Sequence, residues 1–365
     1  MATKRIAING FGRIGRLVLR SGLKNENLEF VAFNDVANIE VLAYLFKYDT
    51  AYGPYGGTVE VADGNTLVVD GRPIRYISVK EPNRAGWGEM GVDYVVEATG
   101  KFTDTGKPDK NPMLHLDAGA RRVLVTAPAK RTEDVMTVVL GVNQGYYDRK
   151  KHFVVSNASC TTNCLAPMVK VLQDNWGVEA GFMTTVHALT ASQLTVDGPA
   201  KKPDPMDMRS GRAASCNIIP ASTGAAKAIG LVVPEVMGKL TGMAFRVPTI
   251  TGSAVDLVVQ VARDTTLPEI GAAMDEASRI EVRNGGMKGI LQYSQDPLVS
   301  SDIIGNRHSS IFDRGACIEL AGNKRLFKLV AWYDNEFGYA SRVVDLLEYM
   351  GVKEDEPEES ATQAE

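Results

Sequence analysis

Through the first 160 positions, short apolar runs alternate with segments whose apolar residues recur every three or four places. Arg5–Asn9, Leu28–Asn34, Asp93–Ala98, Arg122–Thr126, Thr137–Val142 and His152–Ser156 have the length and Val/Ile content of buried strands. Between them, Arg13–Leu23 and Ile39–Tyr48 carry a helical period. Strand and helix in repetition predict a parallel sheet with right-handed crossovers. Thr58–Ser78 breaks the pattern with the turn sequences Asp63-Gly64-Asn65 and Asp70-Gly71, so a small antiparallel excursion is expected there.

After residue 160 the order changes. A helix over Thr161–Trp176 precedes longer strands at Ala180–His187, Ala254–Ala262 and Arg325–Tyr333. The turn Ala321-Gly322-Asn323-Lys324 joins Ala316–Leu320 to the last of these. Long strands joined by loops predict a mixed, largely antiparallel sheet backed by helices. Residues 335–352 read as a closing helix. The expected class is α/β, with one domain over residues 1–158 closed by that helix, and a second α+β domain over 159–334.

A chain of 365 residues suits two domains, and 44% hydrophobic with 23% charged residues is enough for full cores. The longest apolar stretches, such as Val135–Val142, fall far short of the ~20 residues that span a bilayer. The opening Met1-Ala2-Thr3-Lys4-Arg5 leads straight into Ile6-Ala7-Ile8, so no signal peptide is expected. Four cysteines without regular spacing suit a reducing compartment, and a cytoplasmic location is expected. The net charge of −4 is unevenly spread: Lys353–Glu365 holds one Lys and six acids, which leaves the rest of the chain at +1. A near-neutral body offers no footprint for nucleic acid or anionic lipid. Residues 353–365 read as a disordered acidic tail.

Gly10-Phe11-Gly12-Arg13-Ile14-Gly15 follows the first strand and opens the first helix. Glycines there allow a tight turn, backbone approach to a pyrophosphate and close helix packing, the pattern of a Rossmann dinucleotide loop. The free N–H groups of the new helix face the phosphate charge. The next strand ends in Asn34-Asp35, where a carboxylate accepts from ribose hydroxyls. A 2′-phosphate beside Asp35 would be repelled by a few kcal/mol at an effective dielectric of ~20. No Arg follows, so NAD is expected over NADP.

Ser159-Cys160-Thr161-Thr162-Asn163-Cys164 stands where a strand passes into a helix. At a helix start, backbone N–H groups and the macrodipole favour a thiolate, so Cys160 is the candidate nucleophile and its thiol is expected to be lowered. Cys164, one turn on, packs into the helix. Of the four histidines, His187 ends a strand and is the candidate base. His115 and His152 read as surface or helix positions, and His308 lies in a polar loop. No Cys or His pairing has metal-ligand spacing, so no metal is expected.

Asn9–Arg16, Ser159–Asn163, Ala221-Ser222-Thr223-Gly224-Ala225-Ala226-Lys227, Gly242–Thr249 and Trp332-Tyr333-Asp334-Asn335-Glu336 together resemble the phosphorylating glyceraldehyde-3-phosphate dehydrogenases, in order from about residue 3 to 350. The resemblance implies oxidation of glyceraldehyde 3-phosphate to 1,3-bisphosphoglycerate in glycolysis and gluconeogenesis, with NAD as oxidant. It makes Cys160 the nucleophile and His187 its base. Thr190 and Arg246 would hold one anion; Ser159, Thr161, Thr223 and Gly224 would cradle the other. Gly10, Phe11, Gly12, Arg13, Ile14, Asp35, Lys80, Thr126 and Asn335 become cofactor contacts, with Asn335 on the nicotinamide carboxamide. Val36 and Pro199 match NAD-using members. A homotetramer is implied as well.

There are departures from the family pattern. The segment Ala200–Met208 is a few residues longer than usual and lacks a customary Trp, at what is a subunit interface in the family. Phe337 and Ala340 replace a usual Trp and a usual polar residue. Two other readings remain open: erythrose-4-phosphate dehydrogenase of the same family, and a non-catalytic, RNA-binding role. The second has no support from the near-neutral body. Intact phosphate-holding residues favour the phosphorylating reaction over the first.

Overall fold

A computed structural model describes residues 2–200 and 208–357. Residues 4–156 supply one sheet. Its parallel centre is built from β1 (Lys4–Asn9), β2 (Leu28–Asn34), β6 (Tyr94–Glu97), β7 (Arg122–Val125) and β9 (Val154–Ser156). β3 (Val59–Ala62), β4 (Thr66–Val69) and β5 (Arg72–Ile77) lie on one side, and β8 (Met136–Thr137) forms the other edge. The strand order is β3-β4-β5-β2-β1-β6-β7-β9-β8. β1 pairs in parallel with β2 on one flank and with β6 on the other, so the order reverses at its carboxyl end. That reversal opens the crevice where α/β sheets bind ligands. The turns at 63–65 and 70–71 make the expected antiparallel hairpins.

The first half of the chain closes on stacked aromatics. Phe11 and Phe33 lie 4.3 Å apart between ring centroids, Phe46 stacks near Phe11 at 6.1 Å, and all three are fully buried. α1 (Arg13–Gly22) and α2 (Ile39–Lys47) cover the sheet, the latter capped by Asn38, whose side chain accepts from the N–H groups of Glu40 and Val41.

The second sheet is mixed. Its central members are β10 (Val178–Ala188), β12 (Leu240–Val247), β13 (Ser253–Val261) and β17 (Leu326–Tyr333). β10 runs parallel to β12 and antiparallel to β13, which is antiparallel to β17. β11 (Ile219–Ser222) is the outer neighbour of β12; beyond β17 lie β15 (Ser310–Asp313) and β14 (Leu291–Ser294), and the short β16 (Ile318–Glu319) pairs with β17. The long helix α4 (Cys160–Trp176) passes from the first sheet to the second and is buried along almost its whole first three turns. α5 (Ala225–Val232), α6 (Leu267–Arg279) and α7 (Phe337–Asp355) complete the layers.

Three expectations are corrected. Thr137–Val142 is not one strand: pairing stops at Thr137, and the buried run beyond it bends into a turn. The closing helix extends to Asp355, so Lys353, Glu354 and Asp355 belong to it rather than to a loose tail. His115 sits in the short helix α3 (Leu114–Asp117), yet it is fully buried. The expectations for Lys201–Asp207 and for residues 358–365 lie outside the described residues. Among the described residues no helix is long and apolar enough to cross a membrane.

Candidate active site

The chain turns sharply between β9 and α4. Ala158 makes the turn with φ +55°, a left-handed conformation that costs a residue with a Cβ roughly 1–2 kcal/mol. Two hydrogen bonds hold it: its N–H donates to Ser156 Oγ at 3.1 Å, and its carbonyl accepts from Tyr339 Oη at 3.0 Å. Ser159 then caps α4, accepting from the Thr162 N–H at 3.1 Å. Cys160 is therefore the first residue of the helix, half-buried at its amino end.

His187 reaches the same point from the end of β10. Its Nε2 lies 3.5 Å from Cys160 Sγ. Nδ1 lies 2.7 Å from the carbonyl of Ala188, and since a carbonyl only accepts, the ring proton is on Nδ1. Nε2 thus presents a lone pair to the thiol. Burial, with the Arg246 charge added to it, brings the imidazole down to about 3, so it stays neutral. The thiol departs from the expected lowering: burial pushes Cys160 up, while Arg246 and hydrogen bonds from the helix start pull against it. A half-buried thiol facing a neutral imidazole is the starting state of general-base catalysis.

Arg246 stands beside this pair because β12 runs parallel to β10 with Arg246 in register with His187. Its Nη1 is buried without a hydrogen-bond partner, a donor left over next to the nucleophile. Thr190 lies just beyond the end of β10, its hydroxyl 2.9 Å from that of Ser192. Thr223 and Gly224 open α5, where Thr223 Oγ1 accepts from the Ala225 N–H. The hydroxyls of Ser159 and Thr161 already have protein partners, Thr162 and Tyr333.

The dinucleotide loop leaves β1 at Gly10, whose φ of +94° few residues but glycine adopt. A Cβ at Gly15 would come within 2.1 Å of the Gly10 carbonyl oxygen, whereas one at Gly12 would meet nothing within 4 Å. The loop is thus packed beneath and open above. Asp35 is fixed by the N–H groups of Phe11 and Ala37, at 2.8 and 3.0 Å. A cavity of about 390 Å³ is lined by Gly10, Gly12, Asp35, Val36, Lys80 and Thr99, among others, the dimensions of a nucleoside rather than a whole dinucleotide. These residues fit the adenosine end of NAD.

The other cofactor candidates lie around this loop. Phe11 has its ring in the core, so it reaches the crevice only by its backbone. Ile14 packs on the core. Arg13 bridges Asp49 and Glu336, with Nη1 at 2.6 Å from Asp49. Thr126 donates to the carbonyl of Glu97 at 3.0 Å. Asn335, at the other end of the site, has its Oδ1 held by the hydroxyls of Ser253 (2.8 Å) and Thr251 (3.3 Å). That orientation leaves its amide N–H₂ group to recognise a ligand carbonyl.

Sequence reasoning missed several supporting groups. Tyr333 Oη lies 2.8 Å from the hydroxyls of both Thr161 and Thr185, and its ring meets that of His187 edge-on at 5.9 Å. Ala158, Tyr339, Ser253 and Thr251 were also unread.

Two family descriptions match this chain. Residues 4–105 match "Glyceraldehyde 3-phosphate dehydrogenase, NAD binding domain", and residues 159–335 match the C-terminal domain of the same family. The chain belongs to the glyceraldehyde-3-phosphate dehydrogenase family. Among its relatives, glyceraldehyde-3-phosphate dehydrogenase 1 of Nostoc sp. is 54% identical over 354 residues, covering 97% of this chain and 98% of the relative. Glyceraldehyde-3-phosphate dehydrogenase of Chlamydia muridarum is 53% identical over 347 residues, 95% of this chain and 98% of the other. Glyceraldehyde-3-phosphate dehydrogenase 1 of Schizosaccharomyces pombe is 50% identical over 355 residues, 97% and 100% of the two chains. Membership makes the chain an oxidoreductase with NAD as its cofactor, and the resemblance read from the motifs holds over nearly the full length.

Proposed function

We propose that this chain oxidises and phosphorylates D-glyceraldehyde 3-phosphate to 1,3-bisphosphoglycerate through a covalent intermediate on Cys160. The observation that carries the reading is the contact of Cys160 Sγ with the lone pair of His187 Nε2, beside the unpaired Nη1 of Arg246. His187 takes the thiol proton as Sγ attacks the aldehyde carbon, and the protonated ring then faces the developing oxyanion. Bound NAD supplies the hydride acceptor. Asn335 orients the nicotinamide end, and the 10–15 loop with Asp35 and Lys80 holds the adenosine end. The oxyanion collapses as the former aldehyde hydrogen leaves with its electron pair as hydride, which gives a thioester on Cys160, and His187 releases its proton to solvent. Inorganic phosphate attacks that thioester, and Cys160 departs as thiolate.

Both reactants bring phosphate groups, and the donors suit them. Arg246 and Thr190 are assigned to one, and Thr223 with Gly224, at the start of α5, to the other. Ser159 and Thr161 are assigned to the same cradle, where their present partners make a rotamer change or a shared hydrogen bond part of phosphate entry. The family matches on either side of residue 158 support a division into a cofactor domain and a catalytic domain.

A homotetramer and a cytoplasmic, glycolytic setting belong to the same reading. Phe182 and Val186 alternate along β10, and Phe182 pairs directly with Val258 of β13, so the three share one exposed sheet face. An apolar face of that kind supports association of copies.

The test is NADH formation followed by ultraviolet absorbance with and without inorganic phosphate. Phosphate-dependent turnover that disappears in Cys160→Ser supports the assignment. Equal turnover without phosphate, or preference for erythrose 4-phosphate, refutes it.

A further inference from the structure

Glu97, the last residue of β6, is completely buried, and among the described residues no Lys or Arg meets its carboxylate. Four hydrogen-bond donors close on its two oxygens instead. Oε1 accepts from the Thr99 N–H at 2.8 Å and from the Thr99 hydroxyl. Oε2 accepts from Asn9 Nδ2 at 2.6 Å and meets His115 Nε2 at 3.0 Å. A carboxylate buried without such donors costs many kcal/mol, so this cluster has to be complete.

The direction of each bond can be read. Trp87 Nε1 only donates, and it lies 3.0 Å from His115 Nδ1. Nδ1 is therefore the acceptor, and the ring proton sits on Nε2, pointing at Glu97. Asn9 gives its N–H to Glu97 and turns Oδ1 to Asn34 Nδ2, 2.7 Å away. Asn34 in turn clasps the backbone of Val79, accepting its N–H at 2.9 Å and donating to its carbonyl at 3.0 Å. Donors thus run inward from both ends, Trp87 to His115 to Glu97 and Asn34 to Asn9 to Glu97, and converge on the carboxylate.

Asn9, Asn34, Val79 and Thr99 all line the cavity that holds Asp35 and Lys80, while Glu97 and His115 lie behind it. Asn9 ends β1, Asn34 ends β2 and Glu97 ends β6, so the cluster ties together the three strand ends at the sheet's reversal point. We propose that Glu97 and His115 are positioning residues for the adenosine half of NAD: the Glu97 carboxylate sets the geometry of four cavity-lining residues, Asn9 and Thr99 directly and Asn34 and Val79 through Asn9, without lining the cavity itself. The inference rests on placing the adenosine end of NAD in that cavity.

A glutamine cannot replace Glu97 here. Its amide N–H₂ would face either the two Thr99 donors or those of Asn9 and His115, and one pair has to turn away. Glu97→Gln is expected to raise the KM for NAD and the Kd for ADP-ribose roughly tenfold. At saturating NAD, kcat should stay within about twofold, because the Cys160–His187 pair is untouched. The KM for glyceraldehyde 3-phosphate and the rate of Cys160 alkylation without NAD should not move.

The second variant pair is His115→Gln and His115→Leu. Glutamine offers Trp87 an acceptor and Glu97 a donor, so it should restore near-normal NAD affinity; leucine leaves both short and should weaken it several-fold. This pair decides the matter if Glu97→Gln does not fold. Unchanged KM for NAD and unchanged ADP-ribose affinity in these variants, even with lower thermal stability, would make the cluster merely structural and overturn the proposal. Wild-type protein that binds NAD but not ADP-ribose would instead overturn the placement of the adenosine end.

Discussion

His187 Nε2 stands 3.5 Å from the sulfur of Cys160 while the opposite ring nitrogen is tied to the carbonyl of the very next residue, Ala188, at 2.7 Å. The short tie fixes the tautomer, and the strand end fixes the ring. His187→Asn keeps a polar side chain but removes the base, so turnover should drop by about 10² to 10⁴. NAD affinity should be unchanged, since no cofactor candidate touches the ring. Single-turnover NADH formation measures the first quantity and fluorescence titration the second. Turnover within a few-fold of wild type would exclude His187 as the base.

Arg246 acts on the same pair through charge. It pulls the Cys160 thiol down against the stronger effect of burial, and adds to burial in pulling His187 down. The sign follows directly: a cation stabilises the thiolate, so Arg246→Leu moves the thiol titration to higher pH. Alkylation by iodoacetamide above pH 7.5, where His187 is neutral in both proteins, should show the midpoint rise. The variant also leaves a substrate phosphate without its charged donor, which should raise the KM for glyceraldehyde 3-phosphate roughly tenfold or more. A midpoint that stays put or falls would remove Arg246 from the thiol's surroundings.

The two central strands and the loop between them were readable because their signals are local. A Val/Ile run, three glycines at fixed offsets and an acid at the next strand end all lie within residues 4–35. Cys160 was readable for the same reason, since a capping Ser precedes it. Thr137–Val142 misled because its apolar residues are indeed buried, but the side chain of Asn143 bonds the Val139 N–H at 2.8 Å and the Thr137 carbonyl at 2.9 Å. That local competition bends the backbone out of the sheet. Tyr333, Tyr339, Thr251 and Ser253 reach the site from remote parts of the chain, and no spacing rule connects Tyr333 to Thr161. His115 was misjudged because its partners, Trp87 and Glu97, are themselves buried and 28 and 18 positions away.

Two glycines of the dinucleotide loop should fail in different ways. At Gly15 an added methyl collides with the Gly10 carbonyl at 2.1 Å, so Gly15→Ala forces the loop away from the helix and costs about 1–3 kcal/mol of stability. At Gly12 the methyl projects into open space, so Gly12→Ala should leave the unliganded protein as stable as before. It stands where the backbone must approach the pyrophosphate, and NAD should bind at least several-fold more weakly. Thermal unfolding with and without NAD separates the two. A Gly12→Ala protein stabilised by NAD as strongly as wild type would show that the cofactor does not pass over this loop.

The last helical turn is held by charge. Lys4, nearly buried, has Asp355 at 2.7 Å and Glu354 at 3.8 Å; Glu354 also pairs with the buried Arg122. Arg149 donates to the carbonyls of Lys353, Glu354 and Glu356 at 3.0, 2.6 and 2.6 Å. A stop codon after Pro357 touches none of these bonds and should leave stability unchanged. A stop after Gly351 strips the buried Lys4 and Arg122 of their carboxylates; because both pairs are only partly buried, the loss should fall below the about 3–5 kcal/mol of a fully buried pair. Lys4→Met in the shorter protein should recover part of the loss, because the stranded charge is then gone. Denaturant midpoints for the two truncations and the rescue variant decide it: equal midpoints for both truncations would mean that these acids do nothing for the fold.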